Sequence, residues 1–154
     1  MLKALFVNPS EKTMAHASLE HANITVARLE PALEFLLAAL PGWRVRGQGR
    51  MDWFGKTIGW LHVGDDHTYL ALQDGGEGSG PRWDSHGLGT KHLGFVVDDL
   101  DGVVARLQAA GHAIDHWGVD GPVRRSVYFS PPGLPQVEFV SYATADAAAR
   151  NRYD

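Results

Sequence analysis

Residues 20–36, EHANITVARLEPALEFL, return 71 positions later as residues 91–107, KHLGFVVDDLDGVVARL. At that offset His21 falls on His92, Val26 on Val97, Leu29 on Leu100 and Leu36 on Leu107, while Ile24 meets Phe95 and Glu30 meets Asp101. Four identities over so short a stretch are thin evidence alone, but their order is informative. In each copy a histidine opens an apolar run with strand character, and a run of helical period follows. In the first copy Ala22 to Val26 alternates as a strand does, and Leu29, Leu33, Leu36, Leu37 and Leu40 then take up helical spacing. Pro31 suits a first helical turn, and Pro41-Gly42 ends it. In the second copy His92 to Val97 is the strand, Leu100, Val103, Val104 and Leu107 share one helix face, and Gly111 is the stop. A duplicated unit that places a metal-capable side chain twice is a candidate for a metal site on an internal twofold axis.

Working outward, Trp43 to Val45, Thr57 to Val63 and Tyr69 to Leu72 read as strands, with a turn at Gly64-Asp65-Asp66. The first half is therefore β-α-β-β-β. The glycine-rich stretch from Asp74 to Thr90, DGGEGSGPRWDSHGLGT, reads as a linker. The order then recurs, with a short strand near Ala113-Ile114, another over Ser126 to Phe129, a turn at Pro131-Pro132-Gly133 and a last strand over Val137 to Val140. The expected organisation is an N-terminal arm at 1–18, a first module at 19–74, a linker at 75–90, a second module at 91–142 and a tail at 143–154, short helix or frayed. A module of roughly 50–60 residues is small for an independent core. Each sheet should therefore bury one face under its helix and turn the other inward, giving an α+β protein whose two βαβββ modules curve a mixed sheet around a cleft.

Strand alternation predicts what lines that cleft. If Ala22, Ile24 and Val26 lie under the helix, His21, Asn23 and Thr25 face inward, and the same parity turns His92 inward in the second copy. Glu138 stands in an otherwise apolar strand between Val137 and Phe139, where an unpaired buried carboxylate would cost several kcal/mol. A ligand role resolves that cost, and so would an ion pair with Arg124 or Arg125. Tyr128 and, as its first-half counterpart, Trp60 read as cleft walls, with Tyr128 a candidate acid or orienting hydroxyl. Asn23 and Thr25 could orient a ligand or simply line the cleft, and Arg125 is a candidate for an anionic substrate group. His62, near a strand end, and His67, His112 and His116, in turns or strand starts, read as surface residues. Trp83 in the glycine-rich stretch is either a lid or a pin for its loop.

Composition excludes other classes. With 14 Lys and Arg against 18 Asp and Glu, the formal charge of −4 does not favour nucleic acid. There is no cysteine, so disulfides and thiolate metal sites are ruled out. The start, MLKALFV, is too short for a signal core, and no stretch approaches the ~20 apolar residues of a membrane span. The expectation is a cytoplasmic protein. Gly47-Gln48-Gly49 has no Lys-Ser/Thr helix behind it and is no phosphate loop.

With this order of elements, and with LEHANITV, HLGFVVDDLD and RRSVYFSPPGLPQVEFVSY, the chain resembles the vicinal oxygen chelate superfamily over roughly residues 19–142. That group includes glyoxalase I, extradiol dioxygenases and bleomycin-resistance proteins. The resemblance implies that metal ligands come from the first and last strands of each module: His21, His92 and Glu138. In the last strand of the first module, Leu70 stands where Glu138 has its counterpart, or Ala71 with a register shift of one, and neither binds metal. This departs from a four-ligand glyoxalase I. Two histidines and a carboxylate leave open positions and suit Fe(II) or Mn(II), with Zn(II) or Ni(II) as alternatives. The resemblance further implies a homodimer, with modules pairing within a chain or between chains. The expected function is a metal-dependent lyase, isomerase or dioxygenase acting on a small vicinally oxygenated molecule; the alternative is a metal-free protein that binds a drug or natural product.

Overall fold

The structure is a computed structural model in which residues 17–153 are described. The expected N-terminal arm at 1–18 lies outside the described residues except for Ala17 and Ser18. The first βαβββ module comprises β1 (His21–Thr25), α1 (Leu29–Ala39), β2 (Arg44–Trp53), β3 (Lys56–Gly64) and β4 (Tyr69–Gln73). The second comprises β5 (His92–Val96), α2 (Leu100–Ala109), β6 (His116–Asp120), β7 (Arg124–Phe129) and β8 (Gln136–Tyr142). A one-turn helix, α3 (Ala147–Arg150), follows, with Arg150 over the Tyr142 ring.

Each module is a four-stranded mixed sheet, ordered β1-β4-β3-β2 in the first and β5-β8-β7-β6 in the second. The opening strand runs parallel to the closing one in both, because the helix carries the chain back over the sheet before the last three strands form a meander. Asp99 caps α2 by accepting from the Gly102 N–H, and Gly111, at φ +88°, lets the chain leave it.

Both helices and the faces of the sheets beneath them merge into one core. Phe35 of α1 is fully buried, and its ring centroid lies 6.2 Å from both Phe129 and Phe139 of the second sheet. Arg106 of α2 donates to the carbonyls of Ala38 and Ala39 at 3.2 and 3.0 Å, satisfying acceptors that the end of α1 leaves open. The modules are thus joined through their helices.

Two strands differ from their expected places. The second strand, expected over Trp43 to Val45, extends to Trp53, and a two-residue turn at Phe54-Gly55 leads into β3. Both turn residues have positive φ, 45° and 82°, as tight hairpins require. The strand expected near Ala113-Ile114 forms instead at His116–Asp120, while Ile114 packs against the core. Gly47, Gly49 and Gly118 take inward positions in these edge strands, and with no side chain there the period-2 signal fades.

Candidate metal and ligand site

The open face of the second sheet is built around Glu138. β8 presents Gln136, Glu138 and Val140 on one face, opposite His92, Gly94 and Val96 of β5. On the other flank, Tyr128 of β7 pairs with Glu138. Glu138 is 5% exposed, and both its oxygens have neighbours: Arg124 Nη2 donates to Oε1 at 3.0 Å, and His92 Nε2 lies 3.5 Å from Oε2. Burial, then the hydrogen bond and negative charge of Glu138, push the Tyr128 hydroxyl above its ordinary pKa, so it stays protonated at neutral pH. Arg124 Nε is buried with no hydrogen-bond partner. Rings line this face in a row: Trp83 against His116 at 5.0 Å, His116 stacked on Tyr128 at 4.4 Å, and His92 edge-on to Tyr128 at 5.6 Å.

The first sheet repeats the plan with different chemistry. His21, Asn23 and Thr25 of β1 share the open face with Tyr69, Ala71 and Gln73 of β4. Here too rings form a row: Trp60 against His62 at 5.1 Å, His62 against Tyr69 at 4.7 Å, and Tyr69 stacked on His21 at 4.8 Å. Arg46 lies 4.5 Å over the Tyr69 ring. Glu20 approaches His21 Nδ1 at 3.6 Å, which leaves Nε2 as the unengaged nitrogen. Trp60 lies flat on bare backbone: a Cβ at Gly49 would stand 3.0–3.1 Å from its indole. Gly118 does the same for Tyr128, since a Cβ there would reach the ring at 2.7 Å and collide with Ser126 Oγ. Asn23, Met51, Trp60, His62 and Gln73 line a cavity of about 210 Å³ on the first face. A larger one, about 310 Å³, opens between the free edges of β1 and β5, with Leu40, Trp43 and Phe95 among its walls.

These registers revise four sequence expectations. Glu138 stands opposite Gly94, and the equivalent residue Asn23 stands opposite Ala71, so Ala71 and not Leu70 is the counterpart of Glu138; Leu70 is in the core. Tyr128 corresponds to His62, which faces Ala71, whereas Trp60 corresponds to Ser126. His62 and His116, expected on the surface, pack within the two rows, His116 stacked on Tyr128 and His62 tilted against Tyr69. Arg125 points to the helix side of β7, where it bonds Asp101 of α2 at 3.2 Å; Arg124 is the arginine on the open face. The parity of neighbours carried that information, since Arg125 alternates with core residues Val127 and Phe129.

Of the three expected ligands, one chain brings two together. His92 and Glu138 are neighbours, while His21 stands on the other sheet, and among the described residues no three His, Asp or Glu side chains cluster closely enough to hold an ion. The histidine side chains are 44% and 43% exposed, so both faces are open to whatever completes them. Trp83 packs its ring against His116, and Lys91 ties the same loop through the Arg82 and Ser85 carbonyls. Among the described residues no helix is long and apolar enough to cross a membrane.

The family model described as Glyoxalase/Bleomycin resistance protein/Dioxygenase superfamily matches residues 18–147. No curated protein matches the sequence. Among solved structures, a glyoxalase family protein from Bacillus cereus is 16% identical with a TM-score of 0.69, covering 88% of this chain and 100% of that one. A glyoxylase/bleomycin resistance protein/dioxygenase domain from Frankia sp. EAN1pec is 24% identical with a TM-score of 0.65, over 83% and 99% of the two chains. The genomically encoded fosfomycin resistance protein FosX from Listeria monocytogenes, solved with Mn(II) and sulfate, is 15% identical with a TM-score of 0.63, over 90% and 100%. At these identities the structures establish the shared fold.

Proposed function

The chain belongs to the glyoxalase/bleomycin resistance protein/dioxygenase superfamily, and we propose that within it the protein is a metal-dependent enzyme acting on a small, vicinally oxygenated molecule. One separation supports this above all. The 3.5 Å between His92 Nε2 and Glu138 Oε2 lets both atoms lie ~2.0–2.2 Å from a single ion. A nitrogen and a carboxylate oxygen suit Mn(II) or Fe(II), and the Listeria structure with Mn(II) makes that the first ion to try. When bound, such an ion would act as a Lewis acid toward adjacent substrate oxygens.

In this reading His21 is the third ligand and comes from a second copy of the chain. Placing the first face of one copy on the second face of another also places the reverse pair together. A twofold dimer is therefore closed and carries two equivalent sites. The protonated Tyr128 hydroxyl, beside Glu138, is the proton donor or orienting group. Trp60 offers a ring face and Asn23 an amide to the substrate from the first module, with Thr25 next along β1.

Metal titration of the purified protein, together with its mass in solution, tests the proposal. We expect a dimer that takes up one Mn(II) per chain, and a His92→Ala variant whose affinity falls by ~100-fold or more, beyond the range of second-shell changes. A monomer that binds no divalent ion would sink it. A second reading, a metal-free binder of drugs or natural products, is favoured by one observation: Glu138 already has a cation, Arg124, at 3.0 Å. Ligand affinity indifferent to chelator and to Glu138→Ala would select that reading.

A further inference from the structure

Glu138 is held asymmetrically. Oε1 accepts from Arg124 Nη2, while Oε2 faces His92 Nε2 and lies beneath Gly94, where even an added Cβ would stand 3.9 Å away. One oxygen is held by the guanidinium and the other faces an imidazole and bare backbone, while the Tyr128 hydroxyl also hydrogen-bonds the carboxylate. The arrangement has a cost, because Arg124 Nε is buried without a hydrogen-bond partner. An arginine serving the fold alone has a better solution one residue away, where Arg125 pairs with Asp101 and Asp120 at the surface.

Resting on the metal reading above, we propose that Arg124 is a positioning residue that makes Glu138 a one-oxygen ligand. By holding Oε1 it prevents the carboxylate from chelating through both oxygens, fixes Oε2 toward His92, and so keeps a coordination position open for substrate. An ion held by two imidazoles and one carboxylate oxygen retains three of six positions; a carboxylate free to rotate and chelate would close one of them. Outer partners of this kind typically alter metal affinity by about 10–100-fold when removed. In the first module the equivalent of Glu138 is Ala71, so that half of the fold has no carboxylate for such a guanidinium to orient.

The test is Mn(II) titration of the full-length protein, with the number of bound waters read from proton relaxation of the Mn(II) complex. Arg124→Met should weaken Mn(II) binding by about 10–100-fold and reduce the bound waters by one as the carboxylate becomes bidentate. Arg124→Lys, which keeps the charge, should lose only severalfold. If the methionine variant does not fold, the lysine variant carries the same two readouts. Binding within twofold of wild type, with the water count unchanged in whichever variant folds, overturns the role of Arg124 while leaving the metal site standing. Wild-type protein that takes up no Mn(II) overturns the metal site, and the role of Arg124 with it.

Discussion

The two open sheet faces share a backbone plan and differ in what they can do. Each ends a row of rings at a histidine, and each seats an aromatic ring of an inner strand on a glycine of the edge strand. At the centre of the first face stands Ala71, and at the centre of the second Glu138, with Arg124 and His92 on its two oxygens. A single position in the closing strand therefore decides whether a face carries a buried carboxylate. The first face offers ring faces and amide groups, and the second a buried carboxylate held between a guanidinium and an imidazole.

Exchanging that one position breaks the comparison most directly. Glu138→Ala should abolish the ion-binding character of the second face, weakening Mn(II) binding by ~100-fold or more. Ala71→Glu should give the first face a carboxylate beside His21 and raise Mn(II) affinity in the Glu138→Ala background. Isothermal titration of the two variants measures both, and equal affinity of Glu138→Ala and wild type would end the assignment of chemistry to the second face.

The glycine seats give a smaller, graded effect. Gly118→Ala drives a methyl group into the Tyr128 ring and Ser126 Oγ, and overpacking of this kind costs about 1–3 kcal/mol. Gly49→Ala meets the Trp60 indole at 3.0–3.1 Å and should cost less, because the indole faces a cavity into which it can tilt. Denaturant unfolding ranks the two, and a shift in tryptophan emission should accompany Gly49→Ala alone. The reverse ranking would show that the second face is the more yielding.

Acid should separate the modules at their last turns. In the first, the Asp65 carboxylate accepts from the His67 and Thr68 N–H groups at 2.8 and 2.9 Å, and these bonds hold it below the usual carboxylate range. Its folded pKa is depressed, so its stabilisation is present above the unfolded value and is lost as pH falls through the folded one. The second module turns on Pro131, Pro132 and Gly133, with φ +80° at the glycine; the carboxylate there, Asp115, lies outside the turn and accepts from the side chains of Ser130 and Gln136 at 3.3 and 2.6 Å, not from turn N–H groups. Asp65→Ala should therefore lower the melting temperature slightly near neutral pH, and the gap to wild type should close as pH falls below the ordinary aspartate range and through the depressed folded value. A gap that persists in acid would mean that the turn does not depend on the ionised carboxylate.

Much of this plan was legible in the sequence, and the exceptions have physical causes. Leu29, Leu33 and Leu36 announce α1 because burial under a sheet demands one apolar stripe, and His21 and His92 stand out because each opens a strand at the same offset. The extent of β2 was hidden because two of its inward positions, Gly47 and Gly49, are glycines that leave room for Trp60. The counterpart of Glu138 was misplaced by one residue because YLALQ is apolar at both parities, so hydrophobicity does not say which of Leu70 and Ala71 faces out. Adjacent Arg124 and Arg125 are told apart only by parity: Arg125 alternates with the core residues Val127 and Phe129, which fixes it on their side. The pairing of Arg124 with Glu138 depends on strand register, which no single stretch of sequence carries.

Phe35 has a consequence for how the protein would respond to dilution. It locks the two modules together inside one chain, by contacts to Phe129 and Phe139 that owe nothing to a second copy. These contacts need only one chain, whereas a site shared between two chains exists only above the dissociation constant of the dimer. On the proposed dimer, a dilution series would lose ion binding while circular dichroism stayed unchanged, so that subunit concentration alone would switch the chemistry off in an intact fold.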